Sequence, residues 1–212
     1  MNWPTFNLLL EGAAVTAGLS AVSVLCGLAL GIVICGASLA QARVLRSFAS
    51  AYVSFFRGVP LLVQLLLLYH ALPRLGLDLP GIAAAAVGLT LCTAAYQAEN
   101  LRGGFLNVPP GLIEAGRMVG MNARQVMTRI RTPIALRLTL PSVVNEAILI
   151  LKASSLVSVV GVADLTRTAQ NIASSNYRPV ETFATAGALY LVLNVAVAGG
   201  GDALGRILGR GR

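Results

Sequence analysis

Two ionisable residues and three serines lie close together within one long apolar run in the second half of the chain. Glu146 and Lys152 are the charged pair, and Ser154, Ser155 and Ser158 follow them. Charged groups inside a lipid bilayer are costly and are therefore functional hypotheses by default. Lys152 could attract a carboxylate and Glu146 an ammonium group, so these residues predict a path for a small polar solute. Alternatively, Lys152 and Ser155 cap or hydrogen-bond neighbouring helices.

Arg57 and Gln64 form a second candidate pair. They are seven residues apart and would lie close to one face of a helix. We expect both at the path or at a gate, although Arg57 could instead reach the lipid headgroups and Gln64 could join helices. Glu146 and Lys152 are six residues apart, which is about 240° around a helix, so we expect no ion pair within that helix.

The sequence does not carry the usual motifs of an enzyme active site. It has one histidine and three cysteines without a CxxC spacing, and neither HExxH nor GxSxG occurs. We therefore expect no catalytic residues, no metal site and no cofactor bound by this chain.

The composition is that of a membrane protein. Hydrophobic residues make up 56% of the 212 residues, charged residues 11%, and the mean hydropathy is +0.77. Soluble domains carry about 25% charged residues. The net charge of +8 could indicate a nucleic-acid partner, but the basic residues fall between apolar runs and not on a polar surface. We therefore expect a lipid bilayer around the chain and no nucleic acid.

Five apolar segments are long enough, or nearly so, to cross a bilayer as helices, which takes about 20 residues each. They predict an all-α, polytopic membrane protein with one domain over residues 12–204. Residues 1–11 would be an extracytoplasmic segment and 205–212 a cytoplasmic basic tail. Gly27 and Gly31 form a GxxxG pair that favours close helix packing. The predicted spans are about 12–40, 58–73, 79–98, 138–163 and 182–204.

The arginines predict the orientation, because cytoplasmic loops of membrane proteins are enriched in basic residues. If the region between the first two spans is cytoplasmic, that side holds twelve arginines and the other side three. This places the N-terminus outside and the C-terminus in the cytoplasm, which agrees with an odd number of spans. The twelve are Arg43, Arg46, Arg57, Arg102, Arg117, Arg124, Arg129, Arg131, Arg137, Arg206, Arg210 and Arg212, and the three are Arg74, Arg167 and Arg178.

The longest polar stretch lies between the third and fourth spans, and residues 110–133 predict two short helices. Gly120 suits a left-handed cap that ends the first helix. Asn122 is a good N-cap for the second, with Gln125 three positions later. Pro133 would turn the chain towards the next span. Such a folded platform favours docking to a partner, although a basic amphipathic hairpin could also lie on lipid.

The same stretch, "EAGRMVGMNARQVMTRIRTP", resembles the EAA loop of type I ABC importer permeases. Three further stretches, "YVSFFRGVPLLVQ", "AYQAENLRGGFLNVPPG" and "LKASSLVSVVGVADLTRTAQ", are similar to the polar amino-acid branch of that family. Gly116 stands where Ala is commoner, and Ala153 stands where the family often has Asp or Asn. The motif positions are Glu114, Ala115, Gly116, Gly120, Ile130 and Pro133.

This resemblance implies the type I ABC importer permease fold, with five transmembrane helices and cytoplasmic coupling helices. It also implies a bacterial cytoplasmic (inner) membrane location and the import of polar amino acids. The partners would be a second permease subunit, two cytoplasmic ABC ATPases at the EAA loop, and an extracytoplasmic solute-binding protein. ATP and Mg would be bound by the ATPases. The alternative is a self-sufficient secondary transporter or channel, which five spans without an inverted repeat disfavour.

Overall fold

The computed structural model describes residues 3–209. Parts of both predicted terminal segments, Met1–Asn2 and Arg210–Arg212, therefore lie outside the described residues. The regular elements in the described range are helical, as predicted. The α-helices are α1 (Trp3–Ser38), α2 (Arg43–Gly58), α3 (Leu61–Ala71), α4 (Gly81–Leu106), α5 (Pro110–Met118), α6 (Ala123–Val126), α7 (Thr132–Ala153), α8 (Leu165–Asn176) and α9 (Pro179–Gly209).

Four stretches of the described chain are long and apolar enough to cross a membrane as single helices: α1, α4, the continuous run Ala123–Val160, and α9. A fifth span exists only if α2 and α3 are counted together. α3 alone has 11 residues and is too short to cross. The sequence prediction of five spans thus matches four single helices and one bent pair.

The bend between α2 and α3 measures 103° and differs from the continuous helix expected for the second span. Its cause is local, because Pro60 disfavours helical geometry in the residue before it. Val59 is accordingly extended, with φ −92° and ψ 132°. The helix that precedes the bend therefore ends at Gly58, and a new one starts at Leu61.

α1 and α4 form the most extensive helix pair, and glycines allow their close approach. A Cβ atom added at Gly27 would lie 2.6 Å from the Cβ of Thr93, and one at Gly31 would lie 2.9 Å from the Cβ of Gln97. The packing role predicted for the GxxxG pair is confirmed. Because lipid supplies no hydrophobic force between helices, such close backbone contact is a main source of stability in the bilayer.

The helices extend beyond the predicted spans at several ends. α1 starts at Trp3, so the described part of the predicted N-terminal segment is helical. α4 continues to Leu106 and α9 to Gly209. A short 3₁₀-helix, Ser154–Val160, ends the long run that begins at Ala123.

Buried clusters at the two ends of α1 show which elements share an end of the bundle. At the start of α1, Leu9 and Ala13 pack with α8 and α9. At its other end, Ile34 and Cys35 pack with α2 and the second half of α4. The Arg131 guanidinium donates to the Phe105 carbonyl at 3.4 Å, which places residues 110–131 at this second end.

Candidate functional site

Residues 110–131 form a tightly bent pair of helical segments, which we name the bent segment. α5 ends in a complete Schellman motif: the Met121 N–H donates to the Gly116 carbonyl and the Gly120 N–H to the Arg117 carbonyl, both at 3.0 Å. Gly120 has φ +83°, a left-handed conformation that glycine adopts without steric cost. The predicted bend at Gly120 is confirmed.

The second half of the bent segment starts with a capping box. The Gln125 N–H donates to the Asn122 side-chain oxygen, and the Asn122 N–H donates to the Gln125 side-chain oxygen, both at 2.9 Å. Two backbone donors at the start of α6 are thereby satisfied. The predicted N-cap at Asn122 is confirmed.

The two halves of the bent segment pack against each other through Gly116. It is buried, and a Cβ atom added there would lie 2.5 Å from Ile130 Cδ1 and 3.6 Å from Val126 Cγ2. A small residue at this position therefore lets Ile130 cross close to α5. Gly116, Gly120 and Ile130 thus fix the shape of the bend.

Pro133 does not turn the chain, and that expectation was wrong. The helix runs on from Ala123 to Val160, with Pro133 in the first turn of α7. The preceding residues, Met127–Arg131, form a π-helical turn. A wider turn accommodates the proline, whose ring would clash with a carbonyl four residues earlier in a regular α-helix.

The outer side of the bend presents two adjacent apolar side chains. Met118 is 89% exposed and Val119 is 77% exposed, and we name the two the apolar knob. Glu114 and Ala115, one turn earlier on α5, are exposed as well. The motif thus separates into Gly116, Gly120 and Ile130, which hold the bend, and exposed positions such as Glu114 and Ala115, which are free to contact another protein.

Arg57, Tyr96 and Glu146 lie near one another, although they come from three different helices. The Arg57 side chain is exposed, Tyr96 is partly buried and Glu146 is buried. The Arg57 guanidinium lies 5.2 Å from the centre of the Tyr96 ring, in cation–π range. Arg57 is also within electrostatic reach of Glu146, which is buried on α7, and of Glu99 on α4, without forming a salt bridge to either in the part of the chain that the structure describes. We name Arg57, Tyr96 and Glu146 the central group. Tyr96 was not predicted, and its only signal is its place in a polar stretch of α4.

The central group lies part of the way along the bundle and not at its end. The Tyr52 hydroxyl donates to the Leu91 carbonyl at 2.8 Å, and the Cys92 thiol lies 3.9 Å from the Phe56 carbonyl. The end of α2 therefore reaches the middle of α4. Arg57 therefore lies beside the second half of α4 and not at the end of that helix.

Gln64 and Arg57 do not share a helix face, because the 103° bend separates them. Gln64 is buried, and its Nε2 donates to the carbonyls of Phe56 at 2.9 Å and Val59 at 2.7 Å. Both acceptors lie at the end of α2. The Gln64 side chain of α3 therefore holds the α2–α3 bend closed. This is the alternative role stated for Gln64 in the sequence analysis, that of joining helices.

Lys152 and the three serines do not join the central group. The Lys152 side chain is exposed, while Glu146 is buried. Ser154, Ser155 and Ser158 each donate to the backbone carbonyl three residues earlier, at 2.8, 2.8 and 2.9 Å. Their 3₁₀ geometry places Ser154 and Ser158 about 120° apart. The hydroxyl donors of all three serines are therefore engaged by the backbone of their own helical run.

Comparison with known proteins gives a family match over most of the chain. Residues 15–209 match the family described as binding-protein-dependent transport system inner membrane component. The octopine transport system permease protein of Rhizobium meliloti is 41% identical over 92% of this chain and 84% of its own length. The glutamine transport system permease protein of Escherichia coli K12 is 33% identical, over 92% and 90%. The arginine transport system permease protein of Bacillus subtilis is 35% identical, over 90% and 87%.

Solved structures agree with these relatives. The crystal structure of an amino acid ABC transporter with histidines superposes with a TM-score of 0.89 at 35% identity, over 95% of this chain and 94% of the other. An inward-facing methionine ABC transporter gives 0.83 at 24% identity, over 98% and 99%, and so supports the fold alone. The predicted type I ABC importer permease fold is confirmed, and the chain belongs to the family of binding-protein-dependent transport system inner membrane components.

Proposed function

We propose that this chain is the transmembrane subunit of an ATP-driven importer of polar amino acids in the bacterial cytoplasmic membrane. Its relatives include permease proteins named for octopine, glutamine and arginine transport. It works with a second permease subunit, two cytoplasmic ATPases and an extracytoplasmic binding protein. ATP and Mg bind to the ATPases. Family membership favours this function over a self-sufficient secondary transporter or channel.

The observation that carries the proposal is that one continuous helix connects the bent segment to Glu146. The apolar knob stands next to Gly120, and the helix that begins at Ala123 continues without a break to Val160. Glu146 lies on this same helix. An ATPase that grips the apolar knob can therefore move the helix that carries Glu146.

The central group supports a binding place for a zwitterion along the path. Arg57 attracts the carboxylate, and Glu146 attracts the ammonium group. This assignment replaces Lys152, the residue expected from the sequence, because Arg57 is within electrostatic reach of the buried Glu146 and the Lys152 side chain is exposed. Gln64 contributes by holding the bend that positions Arg57. Lys152 and the three serines lie further along α7, about 9 Å or more beyond Glu146, towards the opposite end from the bent segment.

The arginine distribution supports a cytoplasmic position for the bent segment. With Arg57 removed from the count of twelve, the sequence prediction still assigns eleven arginines to the side of the bent segment and three to the other. The N-terminus is then outside and the C-terminus in the cytoplasm.

The substitution Met118→Asp tests docking at the apolar knob. A charge in the centre of an apolar contact should abolish the co-purification of the ATPase and ATP-dependent amino-acid uptake in proteoliposomes. Thr128→Asp adds the same charge at an exposed position of the bent segment and serves as the matched control. Full co-purification and uptake with Met118→Asp would refute docking at the apolar knob.

A further inference from the structure

A second polar site lies between α2, the end of α1 and the second half of α4, and we name it the inner pocket. Its cavity has a volume of 460 Å³, within the range of about 300–1,000 Å³ typical of small-molecule sites. The polar residues that matter here are Arg46, Ser50, Ser54, Arg57, Glu99 and Arg102.

The charges of the inner pocket are unbalanced. Three guanidinium groups face one carboxylate, which leaves a formal charge of +2. Glu99 is already paired with Arg102, whose Nε donates to both carboxylate oxygens at 3.0 and 3.1 Å. Within residues 3–209, neither Arg46 nor Arg57 forms an ion pair. Cations in a membrane protein face water or an anion, so the inner pocket is suited to a negatively charged group.

The polar residues of α2 form a continuous row along the inner pocket. Arg46, Ser50, Ser54 and Arg57 are separated by four, four and three residues and so lie on one helix face. Arg46 is in the first turn of α2, close to the end of α1, and Arg57 is in its last turn. The row therefore leads from the central group to the end of the bundle that carries the bent segment.

The depth of this row distinguishes a solute from a lipid headgroup. The Arg57 guanidinium lies beside Tyr96, and the 10 residues from there to Leu106 correspond to about 15 Å of helix. Phosphate groups of lipids lie outside a hydrocarbon core of about 30 Å. A headgroup could approach Arg46 but not Arg57, so the complete row fits a mobile solute.

We propose that the inner pocket binds the carboxylate of the transported amino acid as it leaves the central group for the cytoplasm. Arg57 holds the carboxylate first, and Arg46 receives it at the inner end, while Ser50 and Ser54 offer hydroxyl groups between them. Glu99 pairs with Arg102, and Glu146 lies on α7 outside the inner pocket. The guanidinium groups of Arg46 and Arg57 therefore remain for the solute. This inference rests on the proposed import function and adds an exit site with a preference for carboxylates.

The test uses the purified complex of permease, ATPase and binding protein in proteoliposomes, with a radiolabelled mixture of the twenty amino acids. Arg46→Gln should lower ATP-dependent uptake about tenfold, since this is the effect of losing one charge-assisted hydrogen bond. Arg46→Lys should restore part of the uptake. ATPase co-purification and ATP hydrolysis stimulated by the binding protein should stay at the wild-type level.

Arg43→Gln is the matched control, because Arg43 is exposed in the same turn of α2 and does not line the inner pocket. Equal uptake by Arg46→Gln and Arg43→Gln would overturn the proposal. So would a defect of Arg46→Gln that appears with phosphatidylglycerol but not in vesicles of phosphatidylcholine alone, because the ligand would then be a lipid phosphate. Absence of ATP-dependent uptake by the wild type would instead count against the import function itself.

Discussion

The bend at Gly120 can be tested by two substitutions of similar size, Gly120→Val and Gly120→Asn. A Cβ atom added at Gly120 would have no heavy atom within 4 Å, so neither side chain clashes. The two substitutions differ in how well the new residue tolerates the left-handed backbone at Gly120, where φ is +83°. A left-handed conformation costs an L-residue about 1–2 kcal/mol. Asn tolerates it far better than β-branched residues do.

The expected effect of Gly120→Val follows from this strain. If the backbone leaves the left-handed region, the two Schellman hydrogen bonds at 3.0 Å are lost, at about 0.5–1.5 kcal/mol each. A total cost of about 2 kcal/mol lowers the population of the bent conformation about thirtyfold. Gly120→Val should therefore lower the amount of amino acid transported per ATP hydrolysed, whereas Gly120→Asn should stay near the wild type.

The measurement is the ratio of uptake to ATP hydrolysis in proteoliposomes that contain the whole complex. ATPase co-purification reports separately on assembly. If Gly120→Val and Gly120→Asn gave the same ratio, the left-handed backbone at Gly120 would not matter for coupling, and the reasoning would fail.

Two further predictions concern the scaffold around the site. Gly27→Leu should destabilise the purified complex by about 1–3 kcal/mol through overpacking, because the new Cβ would lie 2.6 Å from the Cβ of Thr93. Gly18→Leu, on the same helix with nothing within 4 Å, should leave the melting temperature unchanged, and equal shifts would contradict the packing account. Gln64→Leu removes both hydrogen bonds that close the α2–α3 bend and should lower the melting temperature and the uptake rate together. Uptake at the wild-type rate would show that the bend does not position Arg57 for transport.

Features encoded in adjacent residues were predictable from the sequence. The left-handed cap at Gly120 and the capping box at Asn122 depend on residues within one or two turns, and both were predicted correctly. The packing of Gly27 and Gly31 against α4 was also predicted, since close helix contact is the usual reason for such a pair.

The two prolines near helix ends show where local signals stop being sufficient. Pro60 is preceded by an extended Val59, and the helix breaks there. Pro133 is preceded by a π-turn, and the helix continues. Both prolines lack a backbone donor and restrict their neighbours in the same way. The local signal is therefore the same in both cases and does not decide the outcome. Pro141 likewise lies inside α7 without ending it.

The central group could not be predicted, because its members are far apart in the sequence. Arg57 and Glu146 are 89 residues apart, and only the packing of α2, α4 and α7 brings them together. The sequence instead paired Glu146 with Lys152, its nearest opposite charge in the same span.

The arrangement of the central group suggests how movement at the bent segment changes the affinity for the solute. Glu146 lies on the helix that the bent segment begins, whereas Arg57 lies on α2, which Gln64 holds against α3. A displacement of the helix Ala123–Val160 relative to α2 changes the distance between the Glu146 carboxylate and the Arg57 guanidinium. Because their attraction for a zwitterion depends on both charges being in reach, a small shift is enough to weaken binding. Under the proposed import function, the solute would then be released towards Arg46, at the same end of the protein as the bent segment.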